Sequence, residues 1–291
     1  MLKKLIKPAI GLAMIATMGL SLVGCGGNDD SVAEPITAVT REEGSGTRTA
    51  FVEIVDVTIN GNDNISQEAI VAPGTSVMMN TVAENPLAIG YASTGVALAD
   101  ARVRAIPIGG VAPTAENMLN GTYAIQRPFI IGYPRANGLN DLAQDFFDFI
   151  FSAQGQAVVT ARGYVAVDTN APEFTVTPGL SGTIVVNGSS SVAPLMGHLR
   201  EAYRALNPNV EIDIHGAGTG HGITAARDGL ADIAMSSRDL RESELEFMTE
   251  HSIAVDGIAV IVHPDNNIAG LTMEQVRNIF LGEVTAWGSV R

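Results

Sequence analysis

Residues 183–214 read TIVVNGSSSVAPLMGHLREAYRALNPNVEIDI. The β-branched run 183–187, stopped by Gly188, has strand composition. Beyond the serines, Leu195, Leu199, Tyr203 and Leu206 recur at three- and four-residue spacing, which predicts a helix over 192–206. Pro208 bars its continuation, and 210–214 returns to strand composition. Toward the C-terminus the same grammar predicts a short helix at 222–229, a strand at 231–235, a helix at 242–250 and a strand at 257–262. Strand and helix alternate, so the class is α/β with a mostly parallel sheet.

Toward the N-terminus, Pro172, Pro178, Gly179 and Gly182 punctuate residues 169–182 and mark a linker between chain halves. The half before it predicts strands at 36–39, 88–91, 105–108 and 127–132 and helices at 47–55 and 139–161. The last helix carries Phe146, Phe147, Phe149 and Phe151, a pattern that reads as core. No tandem repeat relates the two halves.

The chain has 291 residues, 46% hydrophobic and 16% charged, with a formal charge of -14. That suffices for two modest domains or one bilobed unit. All three lysines (Lys3, Lys4, Lys7) precede residue 8, leaving fourteen arginines against 31 acids in the remainder. Nucleic acid is excluded as a partner, because its binding needs clustered positive charge. Lysine-dependent P-loop and Schiff-base chemistry are excluded for the same body. Residues 1–25 predict an export signal: basic residues, then an apolar run at 8–23 too short to span a bilayer with ease. Its end, Leu22-Val23-Gly24-Cys25, resembles a bacterial lipobox, so Cys25 is the expected lipidation site and residues 26–35 a polar tether. Cys25 is the only cysteine and has no disulfide partner. The alternative is an ordinary cleaved signal.

Three segments run from a strand through a Gly/Ser/Thr turn into a helix: Arg41 to Thr47, Gly188 to Ser191, and Gly216 to Gly220. Free backbone N–H groups and the positive end of the helix dipole point outward at such turns, and glycine admits an anion close to the backbone. Ser45, Gly46, Thr47, Ser190, Ser191 and Thr219 are therefore candidates for holding an oxyanion, although each hydroxyl could equally be a plain N-cap. A fourth segment ends a strand with Ser236, Ser237 and Arg238, where ligands of open α/β sheets sit. Arg41 and Arg238 are candidate bidentate clamps; Arg238 could instead pair with Asp239 or Glu242. A hydrolase reading takes Ser45 or the 189–191 serines as nucleophile with His215 or His221 as base. Against it, the sequence contains no GxSxG elbow, HExxH or metal-ligand cluster.

TREEGSGTR (40–48), NGSSSVAPL (187–195), GAGTGHGI (216–223), ADIAMSSRDL (231–240) and VDGIAVIVHPDN (255–266), followed by LTMEQVRNIFLGEVTAWGSV (271–290), resemble the phosphate-binding lipoproteins of bacterial phosphate ABC transporters. The resemblance implies a type II periplasmic-binding-protein fold, two α/β lobes joined by crossing strands that close over dehydrated phosphate. It implies a monomeric receptor, with no cofactor, metal or catalysis, serving ABC permease subunits at the outer face of the membrane. It assigns ligand contacts to Ser191, the N–H of Val192, Thr219, Arg41, Ser45, Gly46 and Thr47, with Ser190 beside them. Some members carry a proton-accepting aspartate where this chain has Ser237; Asp256 is the candidate substitute, with a structural role as the alternative. A member that has kept the fold for ligand sensing is a further alternative.

The order of motifs differs from the family's usual one, in which the serine-rich loop comes first. The chain reads as a circular permutant, or alternatively as a fragment of a longer tandem protein. On the permutant reading, 36–126 with 271–291 form one lobe, 127–168 with 181–262 the other, 169–180 bridge the usual termini, and crossings fall near 127–132 and 258–270.

Overall fold

The structure, a computed structural model, describes residues 34–290. The export signal, Cys25 and most of the tether lie outside the described residues. The chain runs β1 (Thr37–Arg41), α1 (Gly46–Val55), a hairpin of β2 (Thr58–Ile59) and β3 (Asn62–Asp63), β4 (Ile70–Ala72), α2 (Thr75–Ala83), β5 (Ala88–Ser93) and α3 (Thr94–Ala97). Then come β6 (Arg104–Ala105), α4 (Ala115–Leu119), β7 (Gln126–Pro134), α5 (Asp141–Ile150), α6 (Ala153–Ala161) and β8 (Val165–Ala166). The rest is β9 (Gly182–Gly188), α7 (Ala193–Leu206), β10 (Val210–His215), α8 (Thr219–Arg227), β11 (Ile233–Ser236), α9 (Glu242–Leu245), β12 (Met248–Val262) and α10 (Met273–Leu281). Among the described residues no helix is long and apolar enough to cross a membrane.

The strands form one sheet in the order β10-β9-β11-β7-β12-β5-β1-β4, with β6 and β8 also on β12. β10, β9 and β11 are parallel to one another, as are β5, β1 and β4. Between these triplets β7 and β12 pair antiparallel, and each is antiparallel to its outer neighbour. The expectation of a mostly parallel sheet therefore holds for the flanks and fails at the centre. Two long strands running in opposite directions carry the chain between two hydrophobic cores. One core takes buried side chains from Val39 to Ile125 and from Ile258 to Val290. The other takes them from Phe129 to Ala254, with a smaller separate cluster of Ile223, Ala226, Ala234, Leu240 and Met248 within that range. Residues 258–262, expected with the second group, all pack into the first core.

Local chemistry explains the other differences. The expected helix 139–161 breaks at Ser152, whose hydroxyl accepts from Gly155 N at 3.2 Å and restarts the chain as α6. Helix 242–250 shrinks to Glu242–Leu245, because Met248 already belongs to the fifteen-residue β12. Residues 169–181 have no regular structure but are held down: Phe174 meets Phe149 edge-on with centroids 5.3 Å apart, and its N–H reaches Gln154 at 2.8 Å.

Candidate oxyanion site

β1 delivers Arg41 to the site. The Tyr91 hydroxyl accepts from Arg41 N at 3.1 Å and bonds Thr40 Oγ1 at 2.8 Å, while its ring stacks on Phe51 at 4.0 Å. The Arg41 side chain is only 2% exposed. Its guanidinium donates from Nε and Nη2 to the two Glu42 carboxylate oxygens at 2.8 and 2.7 Å. The remaining donors reach Ser190 Oγ at 3.0 Å and Thr75 Oγ1 at 3.4 Å. Burial opposes the charge on Glu42, but bonds from Arg41 and from Gly74 N at 3.0 Å prevail and hold its carboxyl below its ordinary value.

Around this arginine, hydroxyls from both cores meet. Thr47 Oγ1 and Ser191 Oγ lie 2.8 Å apart, Thr75 Oγ1 is 3.1 Å from Ser190 Oγ and 3.2 Å from Ser191 Oγ, and Thr75 N donates to Ser190 Oγ at 3.3 Å. On the adjoining side Ser189 Oγ donates to Ser237 Oγ at 2.9 Å and Ser237 N to Thr219 Oγ1 at 3.3 Å. Thr47, Thr75, Ser191, Thr219 and Ser237 are all buried. Gly46 closes the ring: a Cβ there would collide with Thr219 Oγ1 and come within 2.8 Å of Ser237 Oγ. Helices α2, α7 and α8 all begin at this cluster, and none has a side-chain N-cap hydrogen bond. Their first N–H groups and dipoles favour a negative charge there.

The assembly thus brings together Arg41, Gly46, Thr47, Ser190, Ser191, Thr219 and Ser237. Ser45 is buried beside them, yet its hydroxyl accepts from Arg48 N at 3.3 Å as the cap of α1. Val192 is buried in the second core and gives its N–H to Ser189 O at 3.1 Å. Two expected residues are placed elsewhere. Arg238 is not a clamp: both its terminal nitrogens donate to Glu244 at 2.8 Å, and Nη1 also to Asp239 O at 2.7 Å. This pairing outweighs burial and keeps Glu244 below its ordinary value.

Asp256 does not bond the hydroxyls of the cluster. Its Oδ1 accepts from Ser93 Oγ and Thr94 Oγ1, each at 2.9 Å, and its Oδ2 from Arg127 Nη2 and Nε at 3.2 and 3.4 Å. Its acceptor capacity is spent, and burial raises it above the ordinary aspartate value. Thr75 is the residue that sequence reasoning missed. Its signal was present: Ile70–Ala72, then Pro73-Gly74, then a helix beginning at threonine repeats the strand-to-turn grammar of the other loops.

Two cores joined by crossing strands, with a buried hydroxyl-lined cluster between them, define a binding protein of the periplasmic class. The profile of the PBP superfamily domain matches residues 27–154 and 175–289. Phosphate-binding protein PstS 2 of Streptococcus pneumoniae is 39% identical over 293 residues, covering 98% of this chain and 99% of that one. A crystal structure of a phosphate-binding protein of a phosphate ABC transporter from the same species superposes with TM-score 0.69 at 40% identity, covering 88% of this chain and 100% of the other. The chain belongs to the PstS family of phosphate-binding proteins.

The order of motifs is shared with the pneumococcal protein, since one match spans nearly all of both chains. Against the phosphate-binding protein PstS of Pseudomonas aeruginosa, 35% identity extends over 149 residues, or 46% of each chain.

Proposed function

We propose that this chain is an extracytoplasmic, lipid-anchored receptor that binds inorganic phosphate between its two cores and passes it to the permease subunits of an ABC transporter. One observation supports this most: Arg41 with the hydroxyls of Thr47, Thr75, Ser190 and Ser191, drawn from opposite sides of the sheet's central crossing. Each side brings part of a dehydrated shell, and closing them together replaces water around a tetrahedral anion with fixed dipoles and one guanidinium. The net charge of -14 is no obstacle, because the field at the site comes from nearby donors. The division into lobes follows the cores, with residues 258–262 moved to the first lobe.

A lipid on Cys25 supplies the anchor in this reading, and the protein acts as a monomer. The permuted chain order is supported by contact between the two ends of the described body: Ile36 N donates to Thr285 O at 2.8 Å and Trp287 N to Glu34 O at 2.9 Å. Joining these ends and opening 169–180 restores the usual order. A serine hydrolase needs a base on its nucleophile; among the described residues the cluster hydroxyls bond one another, Arg41 and backbone groups, and no histidine. Titration calorimetry on the purified, ligand-stripped protein tests the proposal. One phosphate bound per chain is the expected result, and no heat of binding overturns it.

A further inference from the structure

We infer that Arg127 is a positioning residue for the oxyanion site, tying the Ser237 turn to the opposite core through Asp256. The inference rests on the phosphate-receptor reading only for its ligand readout. Arg127 on β7 and Asp256 on β12 are directly paired across the central crossing, at the boundary where the chain passes from one core to the other. Both side chains are buried, at 1% and 0% exposure.

The guanidinium divides its donors. Nε and Nη2 go to Asp256 Oδ2, while Nη1 donates to Ser237 O at 3.2 Å. On its other oxygen, Asp256 is held by Ser93 at the end of β5 and Thr94 at the start of α3, both on the first-core side. Ser237 follows β11 on the other side and meets Thr219 and Ser189 within the cluster. The chain of contacts Thr94–Asp256–Arg127–Ser237 therefore links one half of the site to the frame of the other. Arg127 is further fixed by Phe129, whose ring centroid lies 5.4 Å from its guanidinium carbon.

A buried ion pair is weak evidence of stabilisation, because desolvation offsets most of the attraction. What it does provide here is direction. A planar guanidinium can reach a carboxylate and a carbonyl at once, whereas a lysine ammonium at this position keeps the charge but is a single point that cannot span both. Substituting Arg127→Lys therefore separates the link to Ser237 from the charge balance of Asp256.

The test compares Arg127→Lys with Ile258→Val, which thins the neighbouring core of β12 without touching Ser237. Hydrogen exchange is read at residues 236–238, and phosphate affinity by calorimetry on the same samples. For Arg127→Lys the expected results are exchange at Ser237 N–H at least tenfold faster than in Ile258→Val and phosphate affinity at least tenfold weaker. The paired variant Arg127→Gln with Asp256→Asn removes both charges together and is expected to show the same two losses, should the lysine variant fold poorly. Equal exchange at 236–238 in the Arg127 and Ile258 variants overturns the inference whether or not phosphate binds. Unchanged affinity, in a parent that binds phosphate, overturns it also and leaves the receptor reading intact.

Discussion

Thr47 and Ser191, 144 positions apart, share a 2.8 Å hydrogen bond between buried hydroxyls, one at the start of α1 and the other just before α7. Their meeting fixes how the two sides of the molecule approach one another. A ligand held here touches both cores at once, so affinity and closure are one property.

Arg41→Ala removes the guanidinium that donates to the Ser190 and Thr75 hydroxyls and leaves Glu42 without its cation. A hydrogen bond to a charged group contributes about 1.5–3 kcal/mol, so phosphate affinity is expected to fall roughly ten- to hundredfold. Calorimetry against phosphate checks this; unchanged affinity means the anion binds elsewhere.

Gly46→Ala sets a methyl against Thr219 Oγ1 and Ser237 Oγ, which come from the opposite core. Overpacking of this kind costs about 1–3 kcal/mol, and here it falls on the approach of the two sides. Weaker phosphate binding, with little change in the melting temperature of the ligand-free protein, is the expected pair of observations.

Glu42 supplies a pH dependence whose sign is fixed by its lowered carboxyl. A carboxylate depressed in the folded state adds stability that is complete above its ordinary value of 4.5 and is lost as pH falls through the folded value. Thermal melts of Glu42→Gln and the parent should therefore differ most near neutral pH and converge below about 4.5. A constant gap across that range contradicts the pairing.

Ser237 stands where a free carboxylate would reject an anion with no proton to donate. Among the described residues Glu42 brings a carboxylate to the cluster, and it is committed to Arg41 and Gly74. Sulfate is expected to compete measurably with phosphate in the parent. Ser237→Asp should reduce that competition by tenfold or more while phosphate still binds. Complete rejection of sulfate by the parent would show that another group supplies the discrimination.

Much of this architecture was legible in residue spacing. Leu195, Leu199 and Tyr203 of α7 are fully buried, and only Leu206, at the helix end, turns outward at 42% exposure. The turns at 41–47, 188–191 and 216–220 were readable because the same strand-to-helix design recurs three times, although Ser45 serves as the cap of α1. What could not be read was tertiary. Arg238 carries the same signal as Arg41, and only the fold decides that Arg238 is turned to Glu244 while Arg41, itself paired with Glu42, also reaches Ser190. Asp256 lies in an apolar strand, and its partners Ser93 and Thr94 on one side and Arg127 on the other come from two distant segments, so they had no local signature. Residues 248–250 have helical composition but open a strand that runs the length of the central crossing.

A crystal structure grown in saturating phosphate decides whether the anion lies in the hydroxyl cluster. The expected result is a tetrahedral ion between the cores, with oxygens about 2.5–3.2 Å from Arg41 and from the hydroxyls of Thr47, Ser191 and Thr219. An ion bound away from Arg41, or no ion at that concentration, would contradict it.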